Sequence, residues 1–229
     1  MTMENRYNPQ LREGNQEILK FHPHKVLREI VAKEIKKSID GRENCKIIDL
    51  GCGEGDSALP ILIENPKITL EALDLSEEMI EIARNVLKNF KERVNFVAGD
   101  AAIYLATQNQ KYDIITSSWT IHNLEQEKKE KLLKDIYAHL KEGGKFILMD
   151  KIYFGNLEMQ KKMLEHQKAR YRYLNEKLRN EISSHEDQDF TENFRQTEEN
   201  FIDKLQKAGF KNTEILDRTE RDVVLVAEK

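Results

Sequence analysis

The stretch IIDLGCGEGDSA, residues 47–58, constrains the fold of this chain more than any other. Two isoleucines and an acid lead into Gly51-Cys52-Gly53-Glu54-Gly55. Three glycines within five residues allow positive φ with no side chain in the way, which is what a sharp turn from a buried parallel strand into a helix requires. Phosphate, dinucleotide and nucleoside ligands are all received by such turns, because the ligand can approach the main chain while a helix N-terminus points at it. The glycines alone therefore do not choose the ligand.

Around this turn, strand and helix patterns alternate. Residues 25–37 predict an amphipathic helix with Val26, Leu27, Ile30, Val31 and Ile35 on one face. A strand over 46–50 precedes the turn and a helix over 57–64 follows it, with Pro60 either near its first turn or producing a kink. A second strand over 68–73 ends at Asp74. Ser76 then caps a helix reaching about Leu87, whose early Glu77 and Glu78 favour the positive end of the helix dipole. Strands are expected over 94–97 and 112–116, followed by a helix over 125–140 stopped by Gly143-Gly144 and a fifth strand over 145–149. After an interruption over 153–198 come a helix over 199–208 stopped by Gly209, then strands over 212–216 and 223–227. Their connection is too short for a crossover helix, so these last strands pair antiparallel. The predicted fold is α/β: a three-layer Rossmann-like sandwich whose seven-stranded, mostly parallel sheet ends in an antiparallel hairpin. One domain is expected over 1–229, with an N-terminal helical segment 1–43 and a helical insertion 153–198 as a substrate cover.

Composition narrows the partners. A charged fraction of 34% with a formal net charge of -4 gives a hydrated surface without general attraction to polyanions. A small molecule is thus favoured over RNA as partner, and a homodimer is compatible with this composition. No apolar run approaches a membrane span and the N-terminus lacks a signal-peptide core, which predicts a cytoplasmic protein with no membrane partner. Cys45 and Cys52 are the only cysteines and lack a second pair at ligand spacing, so no metal is expected.

In a sheet of this kind ligands bind beyond the carboxyl ends of the strands, where strand order reverses. Asp74, 23 residues past Gly51, ends the second strand, where its carboxylate can accept hydrogen bonds from both hydroxyls of a ribose. Asp100 and Ala101 follow the third strand, and Ser117, Ser118 and Trp119 after the fourth complete the wall. Position 56 is Asp where a dinucleotide fingerprint has its third glycine, which weighs against a nicotinamide cofactor.

Five ordered motifs, IIDLGCGEGDSA, LEALDLSEEMIEIAR, VNFVAGDA, YDIITSSWTIHNL and LKEGGKFILMD, together resemble the class I S-adenosylmethionine-dependent methyltransferases over about residues 44–151. The closing hairpin fits as well. The resemblance implies S-adenosyl-L-methionine as cofactor, with Asp49 and Gly51 near its methionine moiety, Asp74 on its ribose, Leu75 and Met79 flanking its adenine, and Asp100 and Ala101 at the adenine edge. Cys52 and Gly53 in the turn, with Ser117 and Trp119, complete the cofactor-binding set. Methyl transfer from a sulfonium is a direct displacement, so a general base is needed only for an acceptor that arrives protonated. His122 in the loop after the fourth strand is the candidate.

In the insertion, Leu164, Tyr171, Leu174 and Leu178 predict one long amphipathic helix, interrupted by Gln160 and Gln167. Eight Lys or Arg and three Glu lie over 151–179, whereas seven acids and one Arg lie over 181–200. Such blocks are expected to pair or solvate one another; the alternative is that Arg170 and Arg172, with Tyr171 or Tyr173, meet an anionic acceptor. Residues 150–210 also resemble the carboxy-S-adenosylmethionine synthases of tRNA wobble modification, which hold the extra carboxylate with an arginine in this insert. The corresponding stretch here is acidic around Glu186 and Asp187, and the ordinary methyl donor is retained. The leading reading is methyl transfer to a small molecule. The alternatives are a carboxy-S-adenosylmethionine synthase-like enzyme, an NAD-dependent oxidoreductase, and a non-catalytic S-adenosylmethionine-binding protein.

Overall fold

The computed structural model describes residues 24–39 and 41–229. Short segments rich in Ile, Leu and Val form β1 (Lys46–Leu50), β2 (Thr69–Asp74), β3 (Val94–Ala98), β4 (Tyr112–Ser118) and β5 (Leu140–Lys151). These five strands run parallel. β6 (Lys211–Thr219) and β7 (Asp222–Glu228) close the sheet in the order β3-β2-β1-β4-β5-β7-β6, with β7 antiparallel to both its neighbours. Seven strands, mostly parallel with the terminal hairpin reversed, are those expected from the sequence; their order is a finding of the structure.

Helices cover both faces. On one side α1 (His24–Ile39) and α2 (Ala58–Glu64) bury Leu27, Val31, Ile35 and Ile61 against Ile47, Ile114, Ile147 and Val224. On the other, α5 (Gln126–His139) and α8 (Glu198–Ala208) bury Leu132, Leu133, Ile136 and Phe201 against Ile48, Ile115, Phe146 and Leu148. Ile47 and Ile48 thus serve opposite faces, as the two-residue period of a strand dictates. Burying each contributes roughly 2–3 kcal/mol, so a one-residue slip of β1 is strongly disfavoured. The remaining helices are α3 (Glu77–Val86), α4 (Ala101–Thr107), α6 (Leu157–Arg170) and α7 (Glu176–Asp189).

Several expectations are corrected. Val26 is exposed, so the buried stripe of α1 runs through Leu27, Val31, Ala32, Ile35 and Ile39 instead. α4 is an element that periodicity did not reveal. Gly143 and Gly144 do not lie between helix and strand: β5 begins at Leu140, opposite Tyr112, and pairing resumes with Lys145 opposite Ile114. The glycines form a bulge, and a Cβ on Gly144 would stand 2.8 Å from the Lys141 carbonyl oxygen. The insertion holds two helices rather than one, broken by a 3-10 turn at Tyr171–Tyr173 and restarted by Asn175, whose side chain accepts from the Leu178 N–H at 3.0 Å. Gln160 and Gln167 do not interrupt its buried stripe but belong to it. Of the N-terminal segment 1–43, residues 1–23 and Asp40 lie outside those described.

Candidate functional site

The carboxyl ends of β1, β2 and β4 meet around the glycine turn. Gly51 (φ 79) and Gly53 (φ 53) both adopt left-handed backbone. A Cβ on Gly51 would stand 2.1 Å from Thr120 Oγ1, so no side chain fits there; a Cβ on Gly53 would meet nothing within 4 Å. Asp74 ties the turn to β2, accepting from the Gly53 N–H at 2.8 Å and the Ser76 N–H at 3.0 Å. Burial raises its pKa against the pull of the Ser76, Gly53 and Leu75 N–H groups.

Asp49 has no such support. It is fully buried on β1 and neither carboxylate oxygen has a hydrogen-bond partner. Burial, then the neighbouring Asp74 charge, pushes its pKa up to about 7, with Arg28 acting in the opposite direction. Thr116 lies in register beside it on β4, and the hydroxyls of Thr116 and Ser118, two residues apart on one face, are also unpartnered. Arg28 of α1 approaches from above, 3.6 Å from Asp56 and 5.7 Å from the Trp119 ring centre. Trp119 itself holds φ 47, a left-handed conformation rare for a bulky residue, with its N–H donating to the Met149 carbonyl at 2.8 Å.

Beyond Trp119 the wall turns into a charged cluster. Thr120 Oγ1 donates to the Gly51 carbonyl at 3.2 Å, and two residues later His122 is buried. Its Nδ1 lies 2.5 Å from Asp150 Oδ1, its main-chain N–H donates to Asp150 Oδ2 at 3.0 Å, and its Nε2 faces Asp189 Oδ2 of α7 at 3.7 Å. Asp189 also pairs with Lys151 at 2.8 Å, and Glu186, one turn earlier on α7, pairs with Arg221 at 2.6 Å and Lys151 at 3.4 Å. Burial opposes the charges of Lys151 and Glu186, yet their partners prevail: Asp189 and Glu186 hold the ammonium above its ordinary range, and Arg221 and Lys151 hold the Glu186 carboxyl well below its own.

A methyltransferase-domain family model matches residues 47–144, the segment that builds this crevice. Residues 47–144 are thus a methyltransferase domain, of the class I S-adenosylmethionine-dependent kind that the five motifs resemble. Among relatives of this chain, the carboxy-S-adenosyl-L-methionine synthase of Nautilia profundicola is 28% identical over 186 residues, 80% of this chain and 77% of the relative. The demethylmenaquinone methyltransferase of Leptospira interrogans is 32% identical over 134 residues, 57% of this chain and 51% of the relative. In fold, the chain is similar to the crystal structure of a putative O-methyltransferase from Nostoc punctiforme, with TM-score 0.64 and 20% identity over 88% of this chain and 55% of that one. The chain spans about half the length of several of the curated relatives it matches.

Within this methyltransferase fold the residues singled out in the sequence occupy distinct places. Asp49, Gly51, Gly53 and Asp74 meet at one point. Cys52 is buried beside them, and burial together with the Asp49 and Asp74 charges raises its thiol pKa, the reverse of what a reactive thiolate needs. Leu75 is half-exposed at the rim, while Met79 is buried in α3, whose first turn Ser76 caps through the Met79 N–H. Asp100 caps α4, Oδ1 accepting from the Ala102 and Ile103 N–H groups at 2.9 and 3.0 Å, with Ala101 as the first helical residue. The Ser117 hydroxyl is turned away and donates to the Leu50 carbonyl at 2.8 Å, leaving Thr116 and Ser118 as the polar side chains of the wall. Arg170 pairs with Glu220 at 3.2 Å, Arg172 lies over the exposed Tyr173, and Lys168 pairs with Asp187 at 2.9 Å across the two charge blocks. Arg28, Lys151 and Arg221 lie outside the five motifs, and Thr116, inside the fourth, was not singled out. Each reads in sequence as an ordinary surface charge or strand residue, and only the packing brings it to the site.

An S-adenosyl group fits this donor set. The unpartnered Asp49 oxygens and the cation of Arg28 suit a ligand whose amino-acid end carries both charges, and Asp74 stands where ribose hydroxyls could donate.

Proposed function

We propose that the protein transfers a methyl group from S-adenosylmethionine to a small-molecule acceptor. The observation that carries this reading is the pair of buried carboxylates on adjacent strand ends, Asp49 without a hydrogen-bond donor and Asp74 bound to the glycine turn. Leaving a buried acid without donors costs stability, so the site is built for a ligand that brings its own. When bound, S-adenosylmethionine supplies a methyl carbon open to direct displacement. Asp74 holds the ribose, Asp49 and Arg28 the amino-acid end, Leu75 and Met79 the faces of the base, and Asp100 and Ala101 its edge. The main chain at Gly51, Cys52 and Gly53 gives close approach, with Trp119 and the hydroxyls of Thr116 and Ser118 as the opposing wall in place of Ser117, which is turned away. What the chain contributes to the reaction is alignment and exclusion of water. His122, its Nδ1 fixed by Asp150, offers Nε2 to an acceptor that must lose a proton.

Calorimetric titration with S-adenosylhomocysteine and with NAD tests the reading. S-adenosylhomocysteine is expected to bind and NAD to leave no heat, and Asp74→Ala should weaken the former at least about tenfold. Binding of NAD alone would overturn the assignment.

A second reading is favoured by the match to carboxy-S-adenosyl-L-methionine synthases, which in one relative extends over 80% of this chain. Against it stands Glu186, a buried acid in the stretch where the resemblance places an arginine. The mass of the nucleoside released from purified protein separates the two, since the carboxylated cofactor is heavier by one carboxylate.

A further inference from the structure

Two cations are held out of water on the acceptor side of the crevice. Lys151 is the last residue of β5, and Arg221, fully buried, lies in the two-residue turn between β6 and β7. Because β7 is antiparallel, Asp222 sits opposite Lys151, so both cations stand at the ligand end of the sheet. Lys151 pairs with Glu186 and Asp189 and Arg221 with Glu186, both acids from one helix, α7. Of the acids next to them in sequence, Asp150 accepts from His122 and from the Lys151 main chain, and Asp222, whose charge also acts on Arg221, accepts from the Trp119 indole at 3.4 Å. Tyr153 accepts from Arg221 Nη1 at 2.7 Å, whereas Arg221 Nε, also buried, has no acceptor.

A buried ion pair adds little net stability over apolar packing, but removing one member costs about 3–5 kcal/mol. α7 can therefore leave this position readily only if another anion arrives. The face that α7 buries contains Ile182 and two acids, a polar contact of the kind found between units that separate and re-dock. Asp189 Oδ2 stands 2.8 Å from Lys151 Nζ and 3.7 Å from His122 Nε2, against both a cation and a ring nitrogen whose partner nitrogen is held by Asp150. An acceptor with an anionic group beside an exchangeable proton would make the same two contacts.

We propose that Lys151 and Arg221 are the anion-binding half of the acceptor site, that Glu186 and Asp189 of α7 fill it as an internal stand-in, and that the acceptor is a small molecule bearing a carboxylate or phosphate that displaces them. This inference rests on the methyltransferase reading above and adds its substrate class.

The test titrates malonate and inorganic phosphate, at constant ionic strength and with S-adenosylhomocysteine bound, into wild type, Glu186→Gln and Glu186→Gln/Arg221→Gln. Removing the internal competitor should tighten at least one probe about tenfold in Glu186→Gln, and the second substitution should abolish the gain. The probe that gains identifies carboxylate or phosphate as the group recognised. Equal affinity of wild type and Glu186→Gln for both probes overturns the proposal. Wild type alone gives an independent measurement if the variant fails to fold: saturating probe should speed amide exchange in residues 176–189 and leave residues 198–208 unchanged. Unchanged exchange in 176–189 overturns it. Absence of S-adenosylhomocysteine binding to wild type would instead sink the methyltransferase reading itself.

Discussion

Asp49 is a carboxylate taken out of water and given no donor, and that has a thermodynamic signature. Its folded pKa of about 7 lies above the unfolded value of 3.8, so the folded protein binds the proton more tightly. The associated stability is fully present below pH 3.8 and is lost as pH rises through about 7, amounting to at most about 4 kcal/mol. Denaturant unfolding of the ligand-free protein should show stability falling between about pH 4 and about pH 7, and Asp49→Asn should flatten that slope; an unchanged slope would remove Asp49 as its source. His122 makes a separate prediction. His122→Ala should lower turnover by roughly a hundredfold while S-adenosylhomocysteine affinity stays near wild type, since its contacts are with Asp150 and Asp189. Equal loss of both would assign it to structure. The sequence marked Asp49, Asp74 and the glycines because strand end, turn and acid are contiguous or separated by one βα unit. It was silent on Arg28, Lys151 and Arg221 because long-range packing alone decides whether a cation in a charge-rich chain faces water or a buried acid.

At the level of elements, the legible parts were those with an unambiguous period and a stop. α8 illustrates this: Thr197 caps it by accepting from the Asn200 N–H, and Gly209 ends it at φ 112. The insertion was misread because Leu164, Tyr171, Leu174 and Leu178 keep helical spacing across a break. The break is made by Asn175, whose side chain starts a new helix. Asn175→Ala should cost about 1 kcal/mol and speed amide exchange in the first turn of α7 without altering α6; uniform protection across both helices would show that the cap is dispensable. Gln160 and Gln167 looked like polar interruptions, yet both donate inside, Gln160 Nε2 to the Gly155 carbonyl at 2.7 Å and Gln167 Nε2 to the Tyr171 hydroxyl at 3.0 Å, with Gln160 Oε1 left unpartnered. α4 was missed because AAIYLAT offers two turns too short to display a period.

For the whole molecule, the insertion is a loop closed at its base. The Tyr153 N–H donates to the Gln196 carbonyl and the Glu198 N–H to the Tyr153 carbonyl, both at 2.8 Å, so the chain leaves and re-enters the sheet at one place. If the insertion is the substrate cover, replacing residues 156–194 by a short Gly–Ser linker should preserve the sheet and S-adenosylhomocysteine binding but abolish acceptor turnover; loss of cofactor binding would mean that the insertion supports the cofactor site instead. The reversed direction of β7 has a consequence for engineering. In an all-parallel sheet the acceptor side would be shaped only by long loops after each strand, which are hard to exchange without disturbing their neighbours. Here residues 219–222, a hairpin tip with β6 and β7 anchored on either side, carry Arg221 and Asp222 to the same place. Under the anion-site proposal, exchanging Glu220 and Arg221 at that tip is a route to redirecting acceptor choice, with Asp222 kept because it holds the Trp119 indole beside the glycine turn.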